Sequence, residues 1–331
     1  MAFGRKNRHN ANDREVVGLY PHGHPAAGYD EDPEPAFGDD DFYDEEHQRR
    51  GPVRRTIGCL IPLALLGGIG YGGKVAYDNL IENFGSPSCT FAAGGYSYQW
   101  DPDQSANAAT IVGVGVLKDG LPERAGQIAA MTALQESKMR NLSYGDLDSL
   151  GLFQQRPSQG WGTAAQIQDP VYASQSFYTA LRKVSGWQTM DPGAAAQSVQ
   201  LSGFPDGYDQ HTSQGQVLAS VLSGQTQQGI GCRLDAAKTS ATPAQVVKEI
   251  TRQTGLQTTA HTTSVGYDAA STQTAWALAS WAVAHAQVDG IQTVTVGDQE
   301  WQRHRGPNGL KWHAAKKPTS GSAAVRIDLA H

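Results

Sequence analysis

The chain has 331 residues, room for more than one domain, and a net charge of −6 with a pI near 5.9. That balance excludes the basic excess a nucleic-acid partner would call for. Only 18% of residues are charged and 38 are glycine, which describes a polar-neutral surface.

Residues 1–55 combine Gly, Pro, His and Asn with an acidic run from Asp30 to Glu46, followed by Arg49, Arg50, Arg54 and Arg55. Too little apolar surface is present to offset ordering entropy, so a disordered tail is expected. His22 and His24 make a poor metal pair, and a solvated tail is the simpler reading. From Thr56 to Gly73 no charged residue occurs. At ~1.5 Å per residue this run reaches ~27 Å, which predicts one transmembrane helix over 56–77. Its positive flank lies on the N-terminal side. The expectation is therefore a single-pass protein of the cell membrane, with a cytoplasmic N-terminus and an extracellular remainder. Arg54-Arg55 ahead of an apolar run also resembles a twin-arginine signal, although no small-x-small cleavage site follows.

Residues 78–121 read as linker and approach, with Gly85, Ser86 and Pro87 breaking the chain and an irregular aromatic segment at Tyr96, Tyr98 and Trp100. Ile111 to Val116 suits either a strand or a small-residue helix. Helices then follow from Pro122-Glu123, from Asp169-Pro170, from Asp191-Pro192, and through Val217, Leu218, Val221 and Leu222, giving an α-rich domain over 122–232. Residues 233–266 read as linker with one short helix, capped by Thr242 and stopped by Gly255. Residues 267–331 switch to a helix from Thr272 to Val288 and alternating strands at Ile291–Val296, Glu300–Arg303 and Ala324–Leu329, a small α+β module. The whole is expected to be mainly α. Trp276, Trp281, Trp301 and Trp312 suit the core of that module. Arg303, His304, Arg305, Lys311, Lys316 and Lys317 form a basic hairpin able to touch anionic polymers.

Of the three cysteines, Cys59 lies in the apolar run, leaving Cys89 and Cys232 to bracket the α-rich domain. Their even count on the outward side favours a disulfide between them, against the alternative of two buried thiols. Neither has a second ligand at zinc spacing, so no metal is expected.

The chemistry concentrates between Ala130 and Trp161. Glu136, preceded by Met131 and Leu134, ends a helix. A carboxylic acid buried there is desolvated in its charged form, which suits it to deliver a proton to a glycosidic oxygen without metal or cofactor. A surface Glu fits the helix equally well. Asp146 and Asp148 sit in the following loop, where Asp is commonly a turn residue; the other reading is a second carboxylate that guides water. Arg156 can pair with either or with a substrate carboxylate. Trp161, Tyr172 and Tyr208 are candidate sugar platforms or core aromatics.

Fifteen residues after Glu136-Ser137 stands Gly151-Leu152-Phe153-Gln154. This combination resembles the Glu-Ser and Gly-Leu-Met-Gln signature of soluble lytic transglycosylases and related lysozyme-like domains, with Phe153 in place of the usual Met. The resemblance covers about 122–222. The run from Gly145 through Gln155-Arg156 to Trp161-Gly162 is similar to a lysozyme-like subfamily of wall proteins of high-GC Gram-positive bacteria. It implies Glu136 as sole acid/base, Ser137 as its partner, and Gly151, Phe153 and Gln154 as cleft wall, with Gln155 beside them a further candidate for substrate binding. The implied substrate is the MurNAc-GlcNAc backbone of peptidoglycan. The competing class is a non-catalytic wall-binding or scaffold protein of a secretion or division assembly.

Overall fold

The computed structural model describes residues 85–330. The expected tail and the expected membrane helix at 56–77 lie outside them. Among the described residues no helix is long and apolar enough to cross a membrane. The expected single-pass location at the cell membrane is therefore not supported.

The expectation of a mainly α chain is also corrected, because the described residues build two antiparallel sheets beside the helices. The first has the order β2-β1-β3, with β1 at Ser88–Ala93, β2 at Tyr96–Trp100 and β3 at Ile230–Arg233. The aromatic segment expected to be irregular is thus a paired strand. It pairs antiparallel with β1 through a tight hairpin at Gly94-Gly95, both at positive φ, a two-residue glycine turn of the kind that joins neighbouring strands; only the β1–β3 pairing spans the length of the helical region. Cys89 lies directly opposite Cys232 in the β1–β3 register, and the two form a fully buried disulfide with Cα atoms 4.0 Å apart. Phe91 meets Trp100 edge to face at 5.4 Å beneath it.

Helix α1 (Pro102–Val112) runs on into a π-helical stretch, Gly113–Lys118. That resolves the strand-or-helix question at 111–116 in favour of helix. Small residues are needed there because a side chain at Gly115 would overlap the Tyr178 ring, whose hydroxyl donates to the Ile111 carbonyl at 2.9 Å. Helix α2 (Glu123–Ser137) is buried without interruption from Ala125 to Leu134. A helix buried on every side belongs in the centre of a layer, and its buried polar groups are met within the helix or across the layer, Thr132 by the Ile128 carbonyl and Gln127 by Thr212 and Gln216. Around it pack α1, α4 (Pro170–Leu181), α5 (Pro192–Gln200) and α6 (Thr212–Leu222), with the short helix α3 (Ala164–Ile167) before them.

Helix α7 (Pro243–Thr254) starts on a Thr242–Gln245 capping box and stops at left-handed Gly255, as the sequence predicts. The second sheet has the order β4-β5-β9-β6-β7-β8, built from Thr259–Ala260, Ser264–Asp268, Ile291–Val296, Gln299–Gln302, Trp312–Ala314 and Ala324–Leu329 for β4 to β9 in turn. Helix α8 (Thr272–Ala284) is buried from Ala275 to Ala284, with this sheet on one flank and α1 and α6 on another. A one-turn helix α9 (Ala286–Asp289) follows and ends at left-handed Gly290. Gln253 ties the layers together, its Oε1 accepting from Thr110 Oγ1 at 2.9 Å and Trp281 Nε1 at 2.8 Å. All these elements belong to one compact unit.

Candidate active site

Helix α2 ends abruptly after Ser137, where Lys138 and Met139 both take left-handed backbone (φ 53° and 62°). For non-glycine residues this conformation costs roughly 1–2 kcal/mol each. Side chains from α1 offset it: Gln104 Nε2 donates to the Lys138 carbonyl at 2.7 Å and Asn107 Nδ2 to that of Met139 at 2.9 Å. Arg140 adds a pair of ion contacts with Asp101 and Asp103. Glu136 is therefore carried on a helix end held from outside the helix. Gln104 and Asn107 carry no sequence signal for this task, since their partners lie more than 30 residues away.

Glu136 is half-buried rather than buried. Its Oε1 accepts a 2.6 Å hydrogen bond from the Tyr208 hydroxyl. Among the described residues Oε2 has no hydrogen-bond partner. Tyr208 itself is fully buried. Burial, and then the Glu136 carboxylate, push its phenol well above the ordinary tyrosine range, so it stays a neutral donor. Of the two parts open to it, sugar platform or core aromatic, its ring takes the second, and its hydroxyl faces the Glu136 carboxylate.

Ser137 makes no hydrogen bond from its hydroxyl to the Glu136 carboxylate. Its hydroxyl lies 3.0 Å from the Ala133 carbonyl and 2.8 Å from that of Leu152, to which it donates. It therefore lashes the helix end to the Gly151–Gln154 segment. That segment is a tight hairpin-like turn, with Gly151 N bonded to Leu142 O at 2.7 Å and Leu150 paired with Gln155. Gly151 has φ +77°, and an added Cβ would sit 2.7 Å from the Ile167 carbonyl. Phe153 is fully buried and stacks on Phe177 at 4.7 Å, so its ring is core rather than exposed wall. The Phe153 carbonyl accepts from Gln200 Nε2 at 2.8 Å, a contact the sequence did not suggest. Gln154 adopts left-handed backbone (φ 46°) and turns its amide back toward Gly151 and Tyr144. Gln155 is buried and donates to the Ala173 carbonyl at 3.1 Å.

The loop carboxylates separate clearly. Asp148 accepts from Arg156 Nε at 2.7 Å, from Ser158 Oγ at 2.9 Å and from Ser158 N at 2.8 Å. The Arg156 and Ser158 donors lower its pKa to about 2. Both oxygens are occupied, and Arg156 is spent in the same turn. Asp146 is exposed. Trp161 is half-buried against the core, and the Tyr172 hydroxyl lies over Gly162. The exposed aromatic residues bordering this region are instead Tyr144 (70%) and Phe204 (79%), with Leu147 and Leu201 beside them. A cavity of about 470 Å³ opens along the 143–150 loop, lined by Tyr144, Leu147 and Asp148; Glu136 is not in its wall.

Compared with known protein families, the chain matches no family model, and no curated protein matches its sequence.

Proposed function

We propose that this protein cleaves the MurNAc-GlcNAc backbone of peptidoglycan as a lytic transglycosylase, with Glu136 as the single acid/base. The observation that carries the reading is the Tyr208–Glu136 hydrogen bond at the end of α2. It occupies Oε1 and leaves Oε2 to give and take a proton. In the first step Oε2 protonates the leaving oxygen as the C1–O bond of the muramyl residue breaks. In the second the same carboxylate recovers a proton from the sugar's own C6 hydroxyl as O6 bonds to C1, so no water is consumed. A hydrolase needs a second carboxylate to guide water or to attack, with inverting pairs roughly 6.5–9.5 Å apart. Asp148 is poorly suited to that part because Arg156 and Ser158 hold both its oxygens. Tyr144 and Phe204 offer exposed faces on which sugar rings can stack.

The test is digestion of purified peptidoglycan by the full chain and by Glu136→Gln. General acid–base terms are worth about 10² to 10⁴ in rate, so the variant should fall by at least that lower figure with an unchanged circular-dichroism spectrum. Mass spectrometry of the parent digest should find anhydromuramyl ends. Reducing muramic ends would make the enzyme a muramidase, and activity within a few fold of the parent in Glu136→Gln would remove Glu136 from the chemistry.

A further inference from the structure

A second cavity, of about 650 Å³, lies between residues 234–238 and the end of the strand leading to Arg305, and the reaction above makes no use of it. Asp235, Lys238, Arg303, His304 and Arg305 are in its wall. Arg303 is only 6% exposed. Its guanidinium meets uncharged acceptors alone: the Ile291 carbonyl at 2.9 Å, the Asp235 carbonyl at 2.7 Å, the Gln287 amide oxygen at 3.4 Å and the Ala286 carbonyl. Buried charges are ordinarily met by an opposite charge. The acid whose field reaches Arg303 is Asp235, and that carboxylate already lies 2.9 Å from Arg305 Nε. Two guanidinium groups thus share one carboxylate, and exposed Lys238 adds a further positive charge. His304 Nδ1 accepts from Gly306 N at 2.9 Å. In the neutral ring this puts the proton on Nε2, which makes it one more donor.

We propose that this cavity binds a phosphate group. A point charge, a planar fork and an imidazole N–H in the wall of one cavity suit a tetrahedral anion with more than one charge. A single carboxylate would leave positive charge unmet. The phosphate can belong to a small phosphorylated molecule or to the phosphodiester of a polyanion. The site does not depend on Glu136 and stands apart from the glycan reading.

Isothermal titration of the full chain at low salt, first with inorganic phosphate and then with a poly(glycerol phosphate) oligomer, tests it. Saturable binding of inorganic phosphate at one site is expected. Lys238→Glu and Arg305→Glu should each weaken it by about tenfold or more. Lys311→Glu, an equal charge change on an exposed residue outside this wall, should leave it within about twofold. Thermal melting checks that each variant is folded, and Lys238→Glu alone decides the matter if Arg305→Glu is not. Tighter binding of the oligomer per phosphate identifies a polymer ligand, and its absence identifies a small one. The proposal is overturned if neither probe binds, or if Lys311→Glu weakens binding as much as Lys238→Glu.

Discussion

Tyr208 governs which oxygen of Glu136 is available, and it does so from a fully buried position. Tyr208→Phe keeps the ring and removes only the donor, leaving Oε1 unanchored. Turnover on purified peptidoglycan should fall by about tenfold, the worth of one hydrogen bond to a charged group, with little change in melting temperature. An unchanged rate would mean that the bond is structural. Asp148 belongs to a different account. Its folded-state pKa is depressed from 3.8 to about 2, so its contribution to the loop is present above pH ~4 and is lost as pH falls through ~2. Asp146→Asn and Asp148→Asn should each retain substantial activity. Loss of activity in either would restore the two-carboxylate mechanism.

At the scale of elements, the 151–154 turn depends on a backbone that only glycine adopts without strain. Gly151→Ala places a methyl against the Ile167 carbonyl at φ +77°, and a destabilisation of about 2 kcal/mol or more is expected from urea unfolding. Helix α9 makes an opposite demand. Asp289 is buried with Oδ2 lacking a partner, and desolvation, with the Glu249 charge adding, raises its pKa to about 6. Raised above its unfolded value of 3.8, it stabilises fully below pH ~4 and loses that contribution as pH climbs through 6. Asp289→Asn should therefore be more stable than the parent at pH 8, on the order of 2 kcal/mol, with the difference vanishing near pH 4. His285, its pKa lowered to about 4 by burial, loses stabilisation as pH falls through that value. It does so in parent and variant alike, so the difference between them isolates Asp289. A gap that persists unchanged at pH 4 would contradict the assignment.

For the whole molecule, helix α8 is the element shared by the helical layer and the six-stranded sheet. Trp281 reaches Gln253, Trp276 meets Trp312 at 4.9 Å, and Trp312 Nε1 donates to the Ile230 carbonyl at 2.8 Å. A chain truncated after Arg233 would expose the faces that α8 covers and leave the β3 edge open. It should lose cooperative thermal unfolding even with the disulfide intact; a sharp transition in that fragment would refute the shared core. The disulfide closes a separation of 143 residues, which the chain-entropy treatment values at about 5 kcal/mol.

What the sequence by itself determined is local. Capping residues and prolines marked the helix starts at Glu123, Pro170, Pro192 and Pro243. Period-two alternation marked the strands at 291–296 and 324–329, because these signals are written in neighbouring residues. The pairing of Cys89 with Cys232 was legible from count and position, although not the strand register that puts them opposite each other. Tertiary structure decided the rest. It gave Ser137 to Leu152 rather than to Glu136. It set Tyr208 against the acid from 72 residues away and took Asp148 out of contention through Arg156 and Ser158. These are matters of which donor reaches which acceptor once distant segments are packed, and residue type constrains them only to the extent of supplying a hydroxyl or a carboxylate.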